Sequence, residues 1–465
     1  MDIYSMENMN TVPDKVSYRK IPASDDSEKR VPSRTASFYT LGCRVNAYET
    51  QAMGEQMRAA GFVLVPFGEP CDVCVVNTCA VTAESERKSA QLLRRAGGFA
   101  AHVIAVGCQA QFHPERAAAC SGVHFVGGCA GKSAVASVAI ALCRGSALPL
   151  RQRFCGKEYE PMAIFTRTDA FAGKCRAYLK IQDGCSGRCS YCIIPSLRGP
   201  SRSREAEEIL QEASRAVRAG VKELVLTGIE TGAYNRLPLH VLAARVAAVP
   251  GVERLRLGSL DPACVTPVLV TALAALPNFM PHFHLSLQSA SDRVLRLMRR
   301  PYDAAGAQRA VDLLRSAFPG VMLSADVISG FPGETEEEFE QTCAFVDRNA
   351  FSHVHAFPFS PREGTPAASM EGQLPPGEAK ERNERLIALA DRVRDRVCRS
   401  RIGRFESVLV ERVDGECGGG HTEGFLNCIV YGSGLRAGEL VKVRVTDAEN
   451  GNLLAVPVAD EGEGS

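Results

Sequence analysis

The sequence has 465 residues, of which 45% are hydrophobic and 23% are charged, and its formal net charge is +1. This length excludes a single small binding module and is sufficient for several folded cores. No apolar run approaches the roughly 18 residues that cross a bilayer, and the polar N-terminus lacks a secretory signal, so we expect a cytoplasmic protein without membrane contact. The near-neutral charge confines any nucleic-acid binding to local patches.

The use of cysteine is the most informative feature of the composition. Eighteen cysteines occur with only nine histidines. In a chain without a secretory signal, metal or redox chemistry explains such cysteines better than disulfides do. The composition therefore predicts iron–sulfur chemistry.

The hydrophobic pattern divides the chain into segments. Residues 1–34 are polar and aperiodic, which is typical of a disordered tail. Residues 35–145 alternate short apolar strands with amphipathic helices, which predicts a mostly parallel α/β sheet covered on both faces. A linker over 146–173 precedes a second strand–helix series at 174–402, whose six βα units predict an incomplete barrel with its chemistry at the strand C-termini.

The pattern changes again in the last segment. Residues 403–460 contain strands separated by glycine-rich turns, which predicts a small antiparallel β-barrel, and residues 461–465 are expected to form a disordered tail. The predicted fold class is therefore α/β multidomain, with an α/β sheet domain, a partial (β/α)6 barrel and a small β-barrel in that order.

Three cysteines of the first α/β segment follow predicted strands. Cys43, Cys79 and Cys108 each stand where a strand gives way to its loop. Because open α/β sheets bind ligands at the carboxyl ends of their strands, these thiols are expected to converge on one edge as a metal site. The remaining scattered cysteines, among them Cys129, have no clustered partner in the sequence and are assigned no role.

The strongest local motif follows the first barrel strand. Cys185, Cys189 and Cys192 form a C-x3-C-x2-C run. Three thiolates on one short loop fit three irons of a cubane cluster and leave the fourth iron open to another ligand. A structural zinc site is the alternative, but it needs four protein ligands, and neither a histidine nor a fourth cysteine lies nearby in the sequence.

The motif and the six βα units resemble the radical S-adenosylmethionine superfamily. This resemblance implies a [4Fe–4S] cluster on the three cysteines, with S-adenosylmethionine on its open iron as the source of a 5'-deoxyadenosyl radical. Tyr191 stands where the family places an aromatic ring near the adenine; a ring packed over the cluster loop is the alternative. Further candidate cofactor contacts are expected at the ends of the barrel strands, where they could instead be satisfied buried hydrogen-bonding groups: Thr227, Gly228, Glu230, Ser259, Gln288, Asp326 and Gly330.

Taken together, the segments resemble the methylthiotransferase family over residues 35–460. That family combines a cluster-binding α/β domain, a radical S-adenosylmethionine barrel and a small β-barrel called TRAM. The resemblance implies a second [4Fe–4S] cluster on Cys43, Cys79 and Cys108, whose open iron holds the sulfur of the transferred methylthio group.

Short motifs favour one substrate group of this family. LGCRVNAYET around Cys43, HFHLSLQS at 282–289 and SPREGTPAA at 360–368 are most similar to enzymes that act on N6-threonylcarbamoyladenosine (t6A) in tRNA. The resemblance implies radical methylthiolation at carbon 2 of t6A at position 37. Isopentenyladenosine in tRNA and an aspartate of a ribosomal protein are the alternatives within the family. An iron–sulfur sensor or electron carrier is the non-enzymatic alternative, which an open iron disfavours.

The implied partners are a tRNA anticodon loop and an electron donor such as flavodoxin or ferredoxin. Recognition of splayed RNA bases requires cationic contacts to phosphate. A solvated surface is the alternative for each candidate cation. The candidates follow the cluster loop and the fourth barrel strand: Arg198, Arg202, Arg204, Arg293, Arg296, Arg299 and Arg300.

Overall fold

The computed structural model describes residues 34–146, 171 and 173–458. The predicted tails over 1–34 and 461–465 and the predicted linker over 146–173 therefore lie almost wholly outside the described residues.

The described chain divides into two compact units. The first comprises residues 34–146 together with Ile193–Gly199, a short segment that comes directly after the C-x3-C-x2-C motif. The second comprises the other described residues and contains both the barrel strands and the C-terminal strands.

The first unit is built on five strands: β1 (Thr35–Thr40), β2 (Val63–Leu64), β3 (Cys71–Thr78), β4 (Ala100–Gly107) and β5 (Val123–Gly128). They form a sheet in the order β2-β1-β3-β4-β5, in which every pair is parallel. Val73 and Val75 pack on one face and Cys74 and Val76 on the other, as the two-residue repeat of a strand requires. The predicted α/β sheet is confirmed.

Helices cover both faces of this sheet: α1 (Arg44–Ala59), α2 (Ala83–Ala96), α3 (Cys108–Phe112), α4 (Pro114–Ala118), α5 (Val135–Cys143) and α6 (Ile194–Arg198). Met53 of α1 and Val138 of α5 pack in the same core, whereas Leu93 of α2 packs in the core on the other face. Because both faces are buried, the central strands β3 and β4 each contain a continuous apolar run.

The second unit begins with the strands β6 (Arg176–Lys180), β7 (Gln182–Asp183), β8 (Arg202–Ser203), β9 (Glu223–Thr227), β10 (Arg254–Leu257), β11 (His282–Gln288), β12 (Met322–Ser329) and β13 (His353–Pro358). β6, β9 and β10 form one parallel sheet and β11, β12 and β13 another. Parallel bridges from Leu255 to Phe279 and from Leu260 to Leu285 join the two sheets. The predicted partial barrel is confirmed.

The helices of this barrel are α7 (Ala206–Arg218), α8 (Leu239–Ala247), α9 (Pro267–Ala274), α10 (Asp292–Leu297), α11 (Ala304–Ala317), α12 (Glu336–Arg348) and α13 (Pro376–Arg399). Their apolar residues, such as Leu242, Val311 and Phe345, pack with the strands in one continuous core. Among the described residues, no helix combines the length and the apolar character needed to cross a bilayer.

The C-terminal strands close into a barrel: β14 (Phe405–Asp414), β15 (Cys417–Thr422), β16 (Asn427–Tyr431), β17 (Leu440–Glu449) and β18 (Asn452–Pro457). The predicted small barrel is confirmed, but β16 and β18 pair in parallel. A ring with an odd number of strands cannot reverse direction at every step, so at least one pair must be parallel. The glycine-rich sequence of β15 predicts a turn, but these residues form a strand. Gly420 is required in this strand because a Cβ would collide with the Leu409 carbonyl.

Buried arginines of β10 contact this C-terminal barrel. Arg254 donates to the carbonyl of Ser407 (2.6 Å), and Arg256 donates to the carbonyls of Thr422 (3.0 Å) and Glu423 (2.7 Å). Backbone acceptors thus satisfy guanidinium groups that would be costly to bury alone.

A buried carboxylate balances these arginines. Glu223 of β9 forms ion pairs with Arg176 and with Arg256 (3.0 Å), and its side chain is fully buried. Burial opposes ionisation, but Arg176 and Arg256 outweigh it and hold the pKa of Glu223 at about 2.

Candidate metal centres

The three cysteines of the C-x3-C-x2-C motif lie on the loop after β7, and each is half-buried: Cys185, Cys189 and Cys192. The loop has no helix or strand of its own from 184 to 193. Ser190 anchors it, because its amide donates to the Met298 carbonyl (3.0 Å) and its hydroxyl donates to the Leu297 carbonyl (2.7 Å). The barrel therefore fixes a loop that has no regular secondary structure of its own.

Arg300 contacts one of these thiols. Its guanidinium donates to the Cys189 sulfur (3.1 Å) and to the carboxylate of Asp261 (2.5 Å), which lies just after β10. Arg300 therefore places a positive charge beside this sulfur, where it would balance the negative charge of a cluster ligand.

Cys185 has a different environment. Its thiol donates to the Glu230 carboxylate (3.1 Å), while its sulfur accepts from the Gly187 amide (3.2 Å). Burial, followed by the hydrogen bond to Glu230, raises the pKa of Cys185 to about 12. Cys185 therefore keeps its proton at neutral pH until a metal displaces it.

Six of the predicted cofactor contacts lie at the carboxyl ends of barrel strands, where the sequence predicts them. Thr227 and Gln288 end β9 and β11, and the other four follow β9, β10 or β12 within three residues: Gly228, Glu230, Ser259 and Gly330. A Cβ at Gly228 would lie 2.8 Å from the Gln182 side-chain oxygen, so only glycine fits there. Their contact with a cofactor stays a prediction.

Asp326 differs from these six because it lies in the middle of β12 and not at its end. Its carboxylate is 3.0 Å from His284 Nε2, and the other ring nitrogen of His284 contacts the Ser324 hydroxyl (2.8 Å). The ligand atoms of His284, Asp326 and His355 all lie within 4.8 Å of one another. The predicted strand-end position of Asp326 is therefore wrong, and its neighbours come from three strands that no local motif connects.

Tyr191 packs against apolar residues of the barrel. Its ring meets Phe331 edge-on at 6.5 Å between centroids, beside Val294 and Met298. Burial raises its pKa, so the phenol stays protonated. This packing agrees with the alternative of a ring over the cluster loop, and contact with an adenine stays a prediction.

The cysteines of the first unit follow three neighbouring strands of its sheet. Cys43 comes after β1, Cys79 directly after β3, and Cys108 directly after β4. Gly42 and Gly107 precede two of them with φ of +96° and +95°, which only glycine adopts readily. A Cβ at Gly42 would lie 2.9 Å from the Cys79 sulfur. The structure thus brings the β1 and β3 loops together around a space that a side chain would fill.

The pKa values of two of these thiols shift in opposite directions. Burial raises the pKa of Cys79 to about 12, and the neighbouring Cys108 and Cys43 raise it further. A hydrogen bond from Cys129 lowers the pKa of Cys108 despite its burial, and the positive charges of Arg198 and Lys132 lower it further.

These two cations belong to a buried polar cluster in the first unit. Glu49 of α1 accepts hydrogen bonds from Lys132 and from Arg198 (3.1 Å), and the Asn46 side-chain oxygen accepts from Arg198 (2.6 Å) and Lys132 (3.1 Å). All four residues are at most 3% exposed. Sequence reasoning did not identify this cluster, because its members are separated by up to 152 residues.

The chain matches two protein families. The model of the radical SAM superfamily matches residues 179–346, and that of the uncharacterized protein family UPF0004 matches residues 35–128. Threonylcarbamoyladenosine tRNA methylthiotransferase MtaB of Bacillus subtilis is 35% identical, covering 89% of this chain and 94% of the relative. The chain belongs to the radical S-adenosylmethionine methylthiotransferase family.

Other relatives of this methylthiotransferase have different substrates in their names. A tRNA-2-methylthio-N(6)-dimethylallyladenosine synthase of Mycobacteroides abscessus is 33% identical, covering 91% of this chain and 88% of the relative. Ribosomal protein uS12 methylthiotransferase RimO of Sorangium cellulosum is also 33% identical, covering 93% and 92%. Among solved structures, the radical S-adenosylmethionine methyltransferase TsrM of Kitasatospora setae is 15% identical with a TM-score of 0.52, over 72% of this chain and 77% of that one. This likeness supports the fold alone.

Membership of the radical SAM superfamily implies a [4Fe–4S] cluster and S-adenosylmethionine. The cysteine loop of the methylthiotransferase fits such a cluster. It offers three thiols within eight residues, and its sulfurs accept hydrogen bonds from the Gly187 amide and the Arg300 guanidinium. Hydrogen bonds of this kind to ligand sulfurs are a recurrent feature of protein-bound clusters.

The arginines predicted to contact RNA are in two situations. Arg198 and Arg204 are 2% exposed and donate to Glu49 and Glu212, and Arg300 is committed to Cys189 and Asp261. Three of the guanidinium groups therefore do not face solvent, because buried carboxylates and a thiol engage them. The others are exposed or half-exposed and keep the phosphate-binding prediction: Arg202, Arg293, Arg296 and Arg299.

Proposed function

We propose that this methylthiotransferase adds a methylthio group to carbon 2 of t6A at position 37 of tRNA, with S-adenosylmethionine as methyl donor and radical source. The observation that carries the reaction class is the second set of strand-end cysteines in the first unit. An enzyme that only cleaves S-adenosylmethionine needs one cluster, whereas an enzyme that also delivers sulfur needs a second place to hold it.

Cys43, Cys79 and Cys108 would hold the second [4Fe–4S] cluster. Three thiolates ligate three irons and leave the fourth for the sulfur to be transferred. The Arg198 and Lys132 charges favour a thiolate at Cys108, and the glycine at position 42 leaves the Cys79 sulfur accessible from the β1 loop. Both features support a metal-bound anionic site.

Cys185, Cys189 and Cys192 would hold the first cluster. A reduced cluster there, with bound S-adenosylmethionine, would supply the 5'-deoxyadenosyl radical. The residues of this chain position it: Ser190 fixes the loop, and Arg300 donates hydrogen bonds to both the Cys189 sulfur and the Asp261 carboxylate. The electron comes from a donor such as flavodoxin or ferredoxin.

The motif LGCRVNAYET around Cys43 carries the choice of substrate, since it matches the t6A group more closely than the isopentenyladenosine or ribosomal groups. The match to the Bacillus subtilis relative, which is named for t6A, covers 94% of that relative and supports the same assignment. The enzyme would act in the cytoplasm, where its tRNA substrate is found.

The exposed arginines would bind the phosphates of the anticodon loop. Arg296 and Arg299 lie on and just after α10, and Arg202 lies in β8 after the cysteine loop. Each phosphate contact releases counterions, so activity on tRNA is expected to fall steeply as salt is added.

The test compares the three candidate substrates directly. Anaerobically reconstituted protein is incubated with dithionite, S-adenosylmethionine and, in separate reactions, tRNA bearing t6A, tRNA bearing isopentenyladenosine, and ribosomal protein uS12. Mass spectrometry of nucleosides and peptides is expected to find the 2-methylthio product on t6A only.

Two other results would contradict the proposal at different levels. Methylthiolation of isopentenyladenosine or uS12 in place of t6A contradicts the substrate and leaves the reaction class standing. Cleavage of S-adenosylmethionine without methylthiolation of any of the three substrates contradicts methylthio transfer itself.

A further inference from the structure

Cys129 lies beside one of the proposed ligands of the second cluster. Its sulfur is 3.9 Å from the Cys108 sulfur, within hydrogen-bonding range for two sulfur atoms. Cys129 follows β5 directly and Cys108 follows β4 directly, so neighbouring parallel strands deliver the two thiols to the same edge of the sheet. The sequence separation of 21 residues gave no sign of this contact.

The backbone around Cys129 is fixed by the helix that carries Cys108. Cys108 is the first residue of α3, and Gln111 of the same helix accepts a hydrogen bond from the Cys129 amide (3.2 Å). Gly128 has φ of +59°, and a side chain there would collide with Gln111. The separation of the two sulfurs therefore follows from the fold and not from two mobile side chains.

The geometry disfavours Cys129 as an additional ligand of the cluster. Two thiolates on one tetrahedral metal, with metal–sulfur bonds of about 2.3 Å, lie roughly 3.8 Å apart. A cubane binds one cysteine on each iron, so a thiol this close to Cys108 competes for the same iron and does not reach the open one. The remaining interaction between the two groups is a hydrogen bond.

We infer that the Cys129 thiol donates a hydrogen bond to the Cys108 ligand sulfur of the second cluster and thereby raises the reduction potential of that cluster. The inference rests on the proposed second cluster. A hydrogen bond to a ligand sulfur stabilises the reduced form, which carries more negative charge. One electron enters the cluster from the reductant, and Cys129 keeps its S–H bond throughout, so no proton is transferred.

The buried cations act in the same direction as this hydrogen bond. Arg198 and Lys132 place positive charge near Cys108, and both are held there by Glu49 and Asn46. Unlike Arg198, Lys132 and Glu49, Cys129 can be changed without removing a buried charge. It therefore offers the cleanest test.

The experiment isolates the second cluster in the full-length chain. Cys185→Ala, Cys189→Ala and Cys192→Ala are combined to remove the first cluster, and this parent variant is reconstituted and titrated in a redox potentiometer with electron paramagnetic resonance detection. Cys129→Ala and Cys129→Val remove the donor, Cys129→Ser replaces it with a hydroxyl, and Cys120→Ala is the matched control. Cys120 is a buried cysteine of the same unit, and its sulfur contacts the carbonyls of Ala90 and Arg116.

We expect Cys129→Ala and Cys129→Val to shift the midpoint to more negative potential. Cys120→Ala should keep the midpoint potential of the parent. Cys129→Ser should keep that potential or raise it, because a hydroxyl is a stronger donor than a thiol. Equal midpoints for Cys129→Ala, Cys129→Val and the parent would overturn the inference and leave the second cluster standing. Loss of the cluster in Cys129→Ala would overturn it as well, because Cys129 would then be a ligand. A parent without any cluster would instead contradict the proposed second site.

Discussion

The two cysteine sites are built in opposite ways. Cys185, Cys189 and Cys192 occupy eight consecutive residues on a loop without secondary structure, whereas Cys43, Cys79 and Cys108 come from three strand ends spread over 66 residues. The loop site takes its ligands from the local sequence and its supporting groups from distant segments of the barrel. The sheet site takes both from distant segments. Damage to the fold should therefore affect the sheet site more than the loop site.

The largest expected effects come from removing each set of ligands in turn. The triple alanine variant at Cys185, Cys189 and Cys192 should lose about half of the iron and all cleavage of S-adenosylmethionine, because that cofactor binds the open iron of the first cluster. Iron analysis and release of 5'-deoxyadenosine measure both effects.

The matched triple alanine variant at Cys43, Cys79 and Cys108 should also lose about half of the iron, yet it should keep cleaving S-adenosylmethionine. Methylthiolation should be abolished in both triple variants. Full iron content in either one would show that its cysteines are not cluster ligands.

A single methyl group should separate the two sites. Gly42→Ala places a Cβ 2.9 Å from the Cys79 sulfur at φ of +96°, where strain costs on the order of 1–2 kcal/mol, so we expect loss of the second cluster with cleavage of S-adenosylmethionine retained. Gly187→Ala places a Cβ 3.1 Å from the Cys185 sulfur without positive φ. Because the backbone at position 187 carries no such strain, iron content should fall less. Equal iron loss in the two variants would contradict the expectation that the sheet site tolerates an added methyl group less well than the loop site does.

Arg198 tests whether the sheet site depends on buried charge. Arg198→Met leaves Glu49 without one of its two cationic partners, and breaking such a buried pair typically costs about 3 kcal/mol. Urea unfolding should report this loss. Arg296→Met is the control on an exposed position and should change the free energy of unfolding by less than about 0.5 kcal/mol. An unchanged free energy of unfolding in Arg198→Met would show that the positive charge near Cys108 does not stabilise the unit.

The smallest expected effect is a response of the second unit to acid. Glu223 has a pKa of about 2 in the folded chain, below the ordinary value of 4.5, so its contribution is complete above that value and is lost as the pH falls toward 2. The loss should reach about 1 kcal/mol near pH 4 and about 2 kcal/mol near pH 3. Unfolding in urea across this range measures it. Glu223→Gln should be less stable at neutral pH and should show a flatter profile, and parallel profiles would contradict the assignment.

The sequence predicted the features that depend on short motifs and on local hydrophobic periodicity. The C-x3-C-x2-C run, the alternation of strands and helices and the small C-terminal barrel all follow from spacing and periodicity. Neighbours across strands leave no such trace. Asp326 was placed at a strand end because the position of a residue within a strand is hard to fix from hydrophobicity. Its actual partners, His284 and His355, lie on the strands to either side.

Burial of charge was the hardest feature to predict. Arg198 and Arg204 follow the cysteine loop in a basic stretch that indicates a surface, yet each donates to a buried carboxylate, Glu49 or Glu212. The partner of Arg198 lies 149 residues earlier in the chain. Cys129 escaped prediction for the same reason, since its distance to Cys108 is set by the pairing of β4 with β5.

The arginines of β10 bear on how freely the C-terminal barrel can be exchanged between relatives. The sequence pattern changes at residue 403, but Arg254 and Arg256 find their acceptors beyond that point. Deleting the barrel would leave both buried guanidinium groups without these acceptors. Truncation is therefore expected to damage the radical domain as well as any RNA contact. Most of those acceptors are backbone carbonyls, which any barrel with the same strand path provides, although Arg254 also donates to the Ser407 hydroxyl (2.8 Å). A graft from a relative with another substrate should therefore keep these hydrogen bonds, provided that it also supplies a carboxylate where Glu411 pairs with Arg176 (2.8 Å).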